Sequence, residues 1–280
     1  MNKNLHMLLY SDGSAVGSQA FELGVRIALA AASRVDILAL ARTADQAKLT
    51  DEQVAAAEKL EAADISVRLY PRVGPMPREV LDQAETTHYD LIVVGSRGWR
   101  GIRRLIAGSR ACTILRGTAT SILVVKGRER EEIDDILLCS AAGPASEDTV
   151  RFAAHLAHAL DASVTLLHVM SQIALEEHAK AADLEAEAEE LMETDAREGV
   201  HLENMLDILF QEGVETEVLV RHGLIVDEII AEAKHGHFDM LVIGAHTAPG
   251  IEGLLSSDLS QLIMLSTNRP VLIVHQERQT

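Results

Sequence analysis

The chain contains one sequence unit twice, and this duplication limits the folds that it can adopt. Leu8–Ser11 matches Leu137–Ser140 at an offset of 129 residues. Farther along the chain, an offset of 149 residues pairs Gly95 with Gly244. A period of this length indicates duplicated domains and not a solenoid of short repeats.

The two units divide the chain into domains at 1–129 and 130–280, with the boundary in the charged run 128–132. The difference between the two offsets places an insertion near 172–212 of the second domain. Its Ala, Glu and Leu content predicts one long helix or two. The acidic run from Asp183 to Asp195 is interpreted as a solvated helix face, with a partner surface as the alternative.

Within each unit, short apolar segments alternate with segments of helical periodicity. Evenly apolar strands separated by helices indicate an α/β fold, with a parallel sheet that is covered on both faces. Ligands of such sheets bind at the carboxyl ends of the strands, where the strand order reverses. The first unit is predicted to contain strands at Leu5–Ser11, Val35–Ala41, Ile65–Tyr70, Tyr89–Val94 and Ser121–Val125, and helices at Ser14–Ala32, Asp51–Ala63, Pro77–Thr86 and Ile102–Leu115.

Composition excludes several classes of protein. Hydrophobic residues make up 48% of the 280 residues, which indicates a folded chain, and no apolar run approaches the roughly 20 residues that cross a bilayer. The net charge of -18 argues against a general affinity for nucleic acid or for an anionic membrane. Residues 1–14 lack a secretory signal, so we expect a cytoplasmic location with Cys112 and Cys139 reduced.

A glycine-rich loop follows the fourth predicted strand of the first unit. The apolar run Leu91–Val94 stops at Gly95, Gly98 comes next, and Gly108 and Ser109 precede a helix. Glycine lets the backbone approach a ligand closely, and the free N–H groups of a helix N-terminus favour an anion. The spacing matches neither the P-loop nor the dinucleotide fingerprint. It predicts a different kind of phosphate site.

Arginines are concentrated around this loop in an otherwise acidic chain. Guanidinium groups bind phosphate bidentately and stay charged. We expect Arg97 and Arg100, which lie in the loop, to be the contacts. Trp99 lies in the same loop and should report on the site by its fluorescence. The arginines of this stretch are Arg97, Arg100, Arg103, Arg104, Arg110 and Arg116.

Asp12 directly follows the first strand. Its carboxylate could accept hydrogen bonds from a ribose hydroxyl or an adenine amine. The alternative is a helix N-cap. Because other strands of the same unit end in glycine or small residues, the ligand role is favoured. By contrast, His235, His237 and His246 form no recognisable metal spacing, and no metal site is predicted there.

Asp12, the Gly95-x2-Gly98-x9-Gly108-Ser109 loop and the duplicated unit together resemble a tandem universal stress protein of the adenine-nucleotide-binding branch. The resemblance implies that the loop glycines and Ser109 hold the phosphates, that Asp12 contacts the nucleoside and that the backbone at Leu40 meets the adenine. It also implies two Rossmann-like domains, each a five-stranded parallel sheet of order 3-2-1-4-5. The two domains would pair through the last strands, Ser121–Val125 and Pro270–Val274.

The second unit has lost most of the ligand-binding positions. A carboxylate at 258, where phosphate would lie, repels an anion. We therefore predict one nucleotide site per chain, in the first unit. The replacements are Asp12 by Ala141, Gly98 by Thr247, Gly108 by Ser257, Ser109 by Asp258, Arg97 by His246, Arg100 by Pro249 and Arg103 by Glu252.

Together with these patterns, the resemblance implies a cytoplasmic stress-response regulatory protein. Its first domain binds ATP or another adenine nucleotide, with or without Mg²⁺, and its second domain serves as a scaffold. We further expect a homodimer and an unidentified regulatory protein partner. No nucleophile–base pair is evident, so fast catalysis is not implied, although slow ATP hydrolysis would be compatible with the loop. The alternatives are a nucleotide-independent interaction module and, less favoured, an ATP-pyrophosphatase-type enzyme.

Overall fold

The chain folds into two compact units. A computed structural model describes residues 5–11, 15–41, 49–96, 110–126, 132–140, 145–170, 197–245 and 256–275. The first unit comprises Met1–Glu131 with Pro270–Leu272, and the second comprises Glu132–Arg269 with Ile273–Thr280.

The first unit alternates strands and helices along the described chain. Its helix α2 begins with a capping box, in which Thr50 accepts from the amide of Gln53 and the Gln53 side chain accepts from the amide of Thr50. The elements are β1 (Leu5–Ser11), α1 (Ala15–Ala31), β2 (Ala32–Ala41), α2 (Asp51–Glu61), β3 (Ser66–Val73), α3 (Met76–Thr86), β4 (Leu91–Gly95), α4 (Arg110–Gly117) and β5 (Ser121–Val125).

The sheet of the first unit has the strand order β3-β2-β1-β4-β5, and its strand pairs are parallel. Helices α1 and α2 contact each other, and so do α3 and α4. This is the layering that right-handed crossovers produce when the chain first moves to one side of β1 and then to the other. Leu8, Leu9, Leu91 and Ile92 in the central strands are fully buried.

The second unit repeats this arrangement. Its strands run in the order β8-β7-β6-β9 with parallel pairing, and the amide of Ala245 after β9 donates to the carbonyl of Val274 in β10 at 2.8 Å. The elements are β6 (Asp135–Ser140), α5 (Ala145–Leu160), β7 (Ser163–Met170), α6 (Arg197–Gln211), β8 (Thr216–His222), α7 (Ile225–His235), β9 (Met240–Gly244), α8 (Ser256–Ser266) and β10 (Val271–Val274).

The predicted α/β fold class with tandem domains is confirmed, while some element boundaries differ. Strand β3 continues three residues past the predicted end at Tyr70, through Pro71. Proline is tolerated there because β3 is the outermost strand of the first unit's sheet among the described residues. The predicted helix 102–115 is described only from Arg110 onward. Within 172–212 the described helix is α6, and by its place between β7 and β8 it corresponds to α2 of the first unit.

Candidate nucleotide site

Two neighbouring strands of the first unit end at the same level of the sheet. Leu9 of β1 is in register with Val93 of β4, which puts Ser11 level with Gly95. From β1 the chain goes on to Asp12, and from β4 it goes on to the glycine loop. Strand order reverses between β1 and β4, because β2 lies on one side of β1 and β4 on the other. Asp12 and the glycine loop thus follow the two strands between which the strand order reverses. Doubly wound folds bind their ligands at this switch point.

The end of β2 turns a backbone carbonyl toward the same place. The amide of Gly74, after β3, donates to the carbonyl of Ala41 at 3.4 Å, so this carbonyl points to the β3 side. Carbonyls of successive strand residues point to opposite neighbours, and the carbonyl of Leu40 therefore points to the β1 side. Strand β1 ends with Ser11, which pairs with Ala39. The Leu40 carbonyl accordingly faces the edge just beyond the end of β1.

The described structure covers two of the predicted site residues. Gly95 ends β4 and pairs with Val125 of β5, and Leu40 lies one residue before the end of β2. After Gly95, the amide of Ser96 donates to the Val125 carbonyl at 2.8 Å, so the strand pairing extends to the start of the loop. The other predicted site residues lie outside the described part of the chain: Asp12, Arg97, Gly98, Arg100, Gly108 and Ser109.

Helix α4 is described from Arg110 onward. It connects the carboxyl end of β4 to the amino end of β5, so its N-terminus lies at the carboxyl edge of the sheet. A helix N-terminus in this position offers free N–H groups to an anion. Ser109 is the residue that immediately precedes it in the sequence.

The same edge of the second unit keeps its backbone framework. The amide of Gly223 donates to the carbonyl of Met170 at 3.2 Å, which repeats the Gly74–Ala41 bond. Helix α8 includes Ser257 and Asp258. The side chains of these two residues are outside the described part, as are Ala141, His246, Thr247, Pro249 and Glu252.

Asp90 and Asp239, which the duplication retains, lie at the opposite edge of the two sheets. Asp90 Oδ2 accepts from the amide of His6 at 2.7 Å, and Asp239 Oδ2 accepts from the amides of Asp134 and Asp135 at 3.1 and 3.2 Å. Each carboxylate thus satisfies backbone donors at the start of a central strand. They connect the amino ends of neighbouring strands by hydrogen bonds, at the edge of the sheet opposite to the carboxyl ends of the strands.

A buried polar cluster in the first unit was not predicted from the sequence. Asp36 is fully buried in β2, and its Oδ2 accepts a 2.6 Å hydrogen bond from the Tyr89 hydroxyl. Gln83 of α3 donates to the same hydroxyl at 2.9 Å, and His6 Nε2 lies 3.4 Å from Asp36 Oδ2. Burial, reinforced by the bond to Asp36, raises the pKa of Tyr89 far above its usual value. Tyr89 was predicted inside a strand and instead precedes β4.

A second group that was missed consists of three histidines in the second unit, His168, His201 and His222. Single histidines scattered along a sequence carry no spacing signal. Comparing the two units position by position would have shown histidine in place of Ala39, Glu52 and Val73.

Each of the described helices is too short or too polar to span a bilayer.

The strand order and the parallel pairing define the two units as doubly wound α/β domains. The universal stress protein family matches residues 4–126 and 132–275, and the chain belongs to this family. The tandem arrangement predicted from the sequence is thereby confirmed.

Solved structures are similar to the chain, two of them over nearly its whole length. A universal stress protein from Archaeoglobus fulgidus DSM 4304 is 17% identical, with 99% of this chain and 98% of that chain covered and a TM-score of 0.66. A functionally unknown protein from Pseudomonas aeruginosa PAO1 is 14% identical, with coverage of 97% and 93% and a TM-score of 0.63. A universal stress protein from Archaeoglobus fulgidus in complex with dAMP is 19% identical, with coverage of 51% and 97% and a TM-score of 0.36. Among curated proteins, none matches the chain.

Proposed function

We propose that the chain is a stress-response regulatory protein that binds one adenine nucleotide, ATP in the first instance, at the carboxyl edge of the first unit. The observation that carries this proposal is the convergence of three strand ends at the switch point. Ser11 and Gly95 end level with each other, and the carbonyl of Leu40 faces the same edge.

Each part of the nucleotide has a suitable group in this proposal. The Leu40 carbonyl accepts from the adenine amine, and the Asp12 carboxylate accepts from the ribose hydroxyls. Backbone amides of the glycine loop and the Ser109 hydroxyl donate to the phosphates, while Arg97 and Arg100 neutralise their charge. Binding with and without Mg²⁺ is consistent with these groups.

The second unit acts as a scaffold in this proposal. It keeps the buried strands and the Gly223–Met170 bond, so the domain can fold and pair. Its sequence replaces Ser109 by Asp258 and Gly98 by Thr247, which removes phosphate donors and adds a negative charge. Pairing of the units through their last strands, a cytoplasmic location, a homodimer and a regulatory protein partner complete the proposal. Regulation and not catalysis is proposed, because no nucleophile is paired with a base in the sequence.

A fluorescence titration of the full chain with ATP tests the site. Trp99 is the single tryptophan and lies in the loop, so its emission should change on binding. Asp12→Ala gives the first unit the residue that the second unit has at Ala141, and we expect it to weaken binding roughly tenfold or more through loss of charge-assisted hydrogen bonds. Thr247→Val changes the second-unit position that matches Gly98, and this control should bind as the parent chain does.

Three outcomes would contradict the proposal or favour one of its alternatives. If the parent chain shows no binding of ATP, ADP or AMP, the nucleotide function is wrong and a nucleotide-independent interaction module remains. Equal affinity in Asp12→Ala would show that the nucleotide lies elsewhere. Rapid release of pyrophosphate from ATP would indicate the ATP-pyrophosphatase type of enzyme instead.

A further inference from the structure

Strand β8 is the outermost strand of the second unit's sheet among the described residues, as β3 is in the first unit. The amide of Gly223 donates to the Met170 carbonyl at 3.2 Å, and the Glu215 carbonyl accepts from the amide of Val164 at 2.8 Å. Odd-numbered residues along β8 thus turn their backbone groups toward β7. Because the backbone groups of successive strand residues point to opposite sides, the even-numbered residues of β8 turn theirs away from β7.

The charges of β8 are arranged symmetrically about Leu219. Glu217 lies two residues before it, and Arg221 lies two residues after it. If two copies of β8 run antiparallel about a two-fold axis at Leu219, Glu217 of each copy lies opposite Arg221 of the other. The same register places Val218 opposite Val220. Since both have outward-facing backbone groups, each such pair can exchange two hydrogen bonds.

The two charged side chains of β8 lie on the same face of the sheet and are accessible. Glu217 is exposed, and the side chain of Arg221 is 41% exposed. Nε and Nη2 of Arg221 donate to Glu232 Oε2 of α7 at 3.2 and 3.0 Å, which holds the guanidinium on this face. Nη1 reaches the strand edge, 3.3 Å from the Val220 carbonyl. It can therefore turn to a carboxylate on a neighbouring strand while the contact with Glu232 is kept.

The matching edge of the first unit is unsuited to such pairing. Arg68 and Arg72 occupy the positions of the two charged residues of β8, so the same register would place like charges opposite each other. Pro71 stands where β8 has Val220, and it has no amide hydrogen to donate outward. Proline and like charges are devices that keep sheet edges from pairing. The sequence of β8 contains no proline and one charge of each sign.

We propose that a second copy of the chain pairs with this one through β8, antiparallel and about a two-fold axis at Leu219. The proposal assigns a surface to the homodimer, so it rests on that part of the proposed function and not on nucleotide binding. Backbone hydrogen bonds join the two strands, and the pairs between Glu217 and Arg221 fix the register. Because a two-fold interface uses the same edge of both copies, association through this surface stops at the dimer.

Sedimentation equilibrium of the full chain over a range of protein concentrations measures the Kd of the dimer. Val220→Pro installs the first unit's residue and removes one outward donor from each copy. We expect it to raise the Kd about tenfold or more, since two hydrogen bonds per dimer are lost. Val67→Pro is the control, because it changes an outward-facing position of β3 and should leave the Kd unchanged.

An exchange of charges tests the register with substitutions at accessible positions. Glu217→Arg places two guanidinium groups opposite each other in both pairs, and we expect the Kd to rise about tenfold. Arg221→Glu places two carboxylates opposite each other in the same way. An equimolar mixture of the two variants restores opposite charges in both pairs. Native mass spectrometry of the mixture should therefore show heterodimers in excess of both homodimers.

Each result separates the surface from the rest of the proposed function. A parent chain that stays monomeric would overturn both the homodimer and its assignment to β8. A dimer whose Kd is the same in Val220→Pro and Glu217→Arg would keep the homodimer and overturn the assignment. A mixture of the charge variants without an excess of heterodimers would contradict the register. Failure of ATP to bind in the fluorescence titration bears on the nucleotide site alone.

Discussion

The Tyr89 hydroxyl donates a 2.6 Å hydrogen bond to Oδ2 of Asp36, a carboxylate that is fully buried in the first unit. The second unit has Phe238 and Thr165 at the matching positions, so it has neither the phenol nor the carboxylate. The pair is therefore specific to the first unit. The buried Asp36 carboxylate needs a hydrogen-bond donor, and the Tyr89 hydroxyl provides one.

Tyr89→Phe should destabilise the first unit by about 1–3 kcal/mol, because it removes a donor from a buried carboxylate. The double change Tyr89→Phe with Asp36→Thr, which installs the second unit's residues, should cost less than the sum of the two single changes. Urea denaturation of the four proteins measures the free energies of unfolding. Strict additivity would show that the hydrogen bond does not couple the two residues.

Asp90 should matter for stability and not for nucleotide binding. Asp90→Ala leaves the partly buried amide of His6 without its 2.7 Å acceptor and should cost about 1 kcal/mol. ATP affinity of the folded variant should stay within about threefold of the parent, since the carboxylate lies at the amino edge of the sheet. The two quantities are measured by urea denaturation and by Trp99 fluorescence. A large loss of affinity in a stable variant would place Asp90 in the ligand site instead.

The second unit should lose stability in acid in a defined pH range. The folded pKa of His168 is lowered to about 4, so its contribution is fully present above the unfolded pKa of about 6.5 and is lost as the pH falls toward 4. The free energy of unfolding should decrease by about 3 kcal/mol over this range on account of His168 alone. Urea denaturation at pH 7.5 and pH 4.5, compared between the parent and His168→Ala, isolates this contribution. The same decrease in both proteins would assign the acid sensitivity to other groups.

Cys139 should resist thiol reagents in the native chain. Burial raises the pKa of its thiol to about 12, and the thiolate is the reactive form. At pH 8, alkylation of Cys139 should be slower than in the urea-unfolded chain by a factor on the order of 1000. Peptide mapping after iodoacetamide treatment gives the rate for this residue. Similar rates in both states would show that β6 opens readily.

The fold could be predicted because the sequence signals that specify it are local and periodic. Apolar runs such as Leu91–Val94 identify buried strands, and the repeat of the unit fixes the tandem arrangement. The boundaries near Tyr70 and Tyr89 were less predictable. Pro71 is tolerated in β3 because β3 is the outermost described strand of its unit. The Tyr89 hydroxyl is positioned by Asp36, which lies in β2.

The candidate site remains a prediction from the sequence. The glycine loop and Asp12 follow strands directly, so their placement at the carboxyl edge depends on sequence alone. The orientation of the Leu40 carbonyl depends on the register of β2 with its two neighbours, which no single segment encodes. His168, His201 and His222 come from β7, α6 and β8, and only the tertiary fold brings these three elements together.

The number of ATP molecules bound per chain is the most direct measurement of whether the nucleotide site is single and belongs to the first unit. Isothermal titration calorimetry of the full chain, after removal of any co-purified nucleotide, measures this number. We predict one ATP per chain, lost in Gly98→Val and kept in Thr247→Val. Two ATP per chain, none, or one that survives Gly98→Val would contradict the assignment.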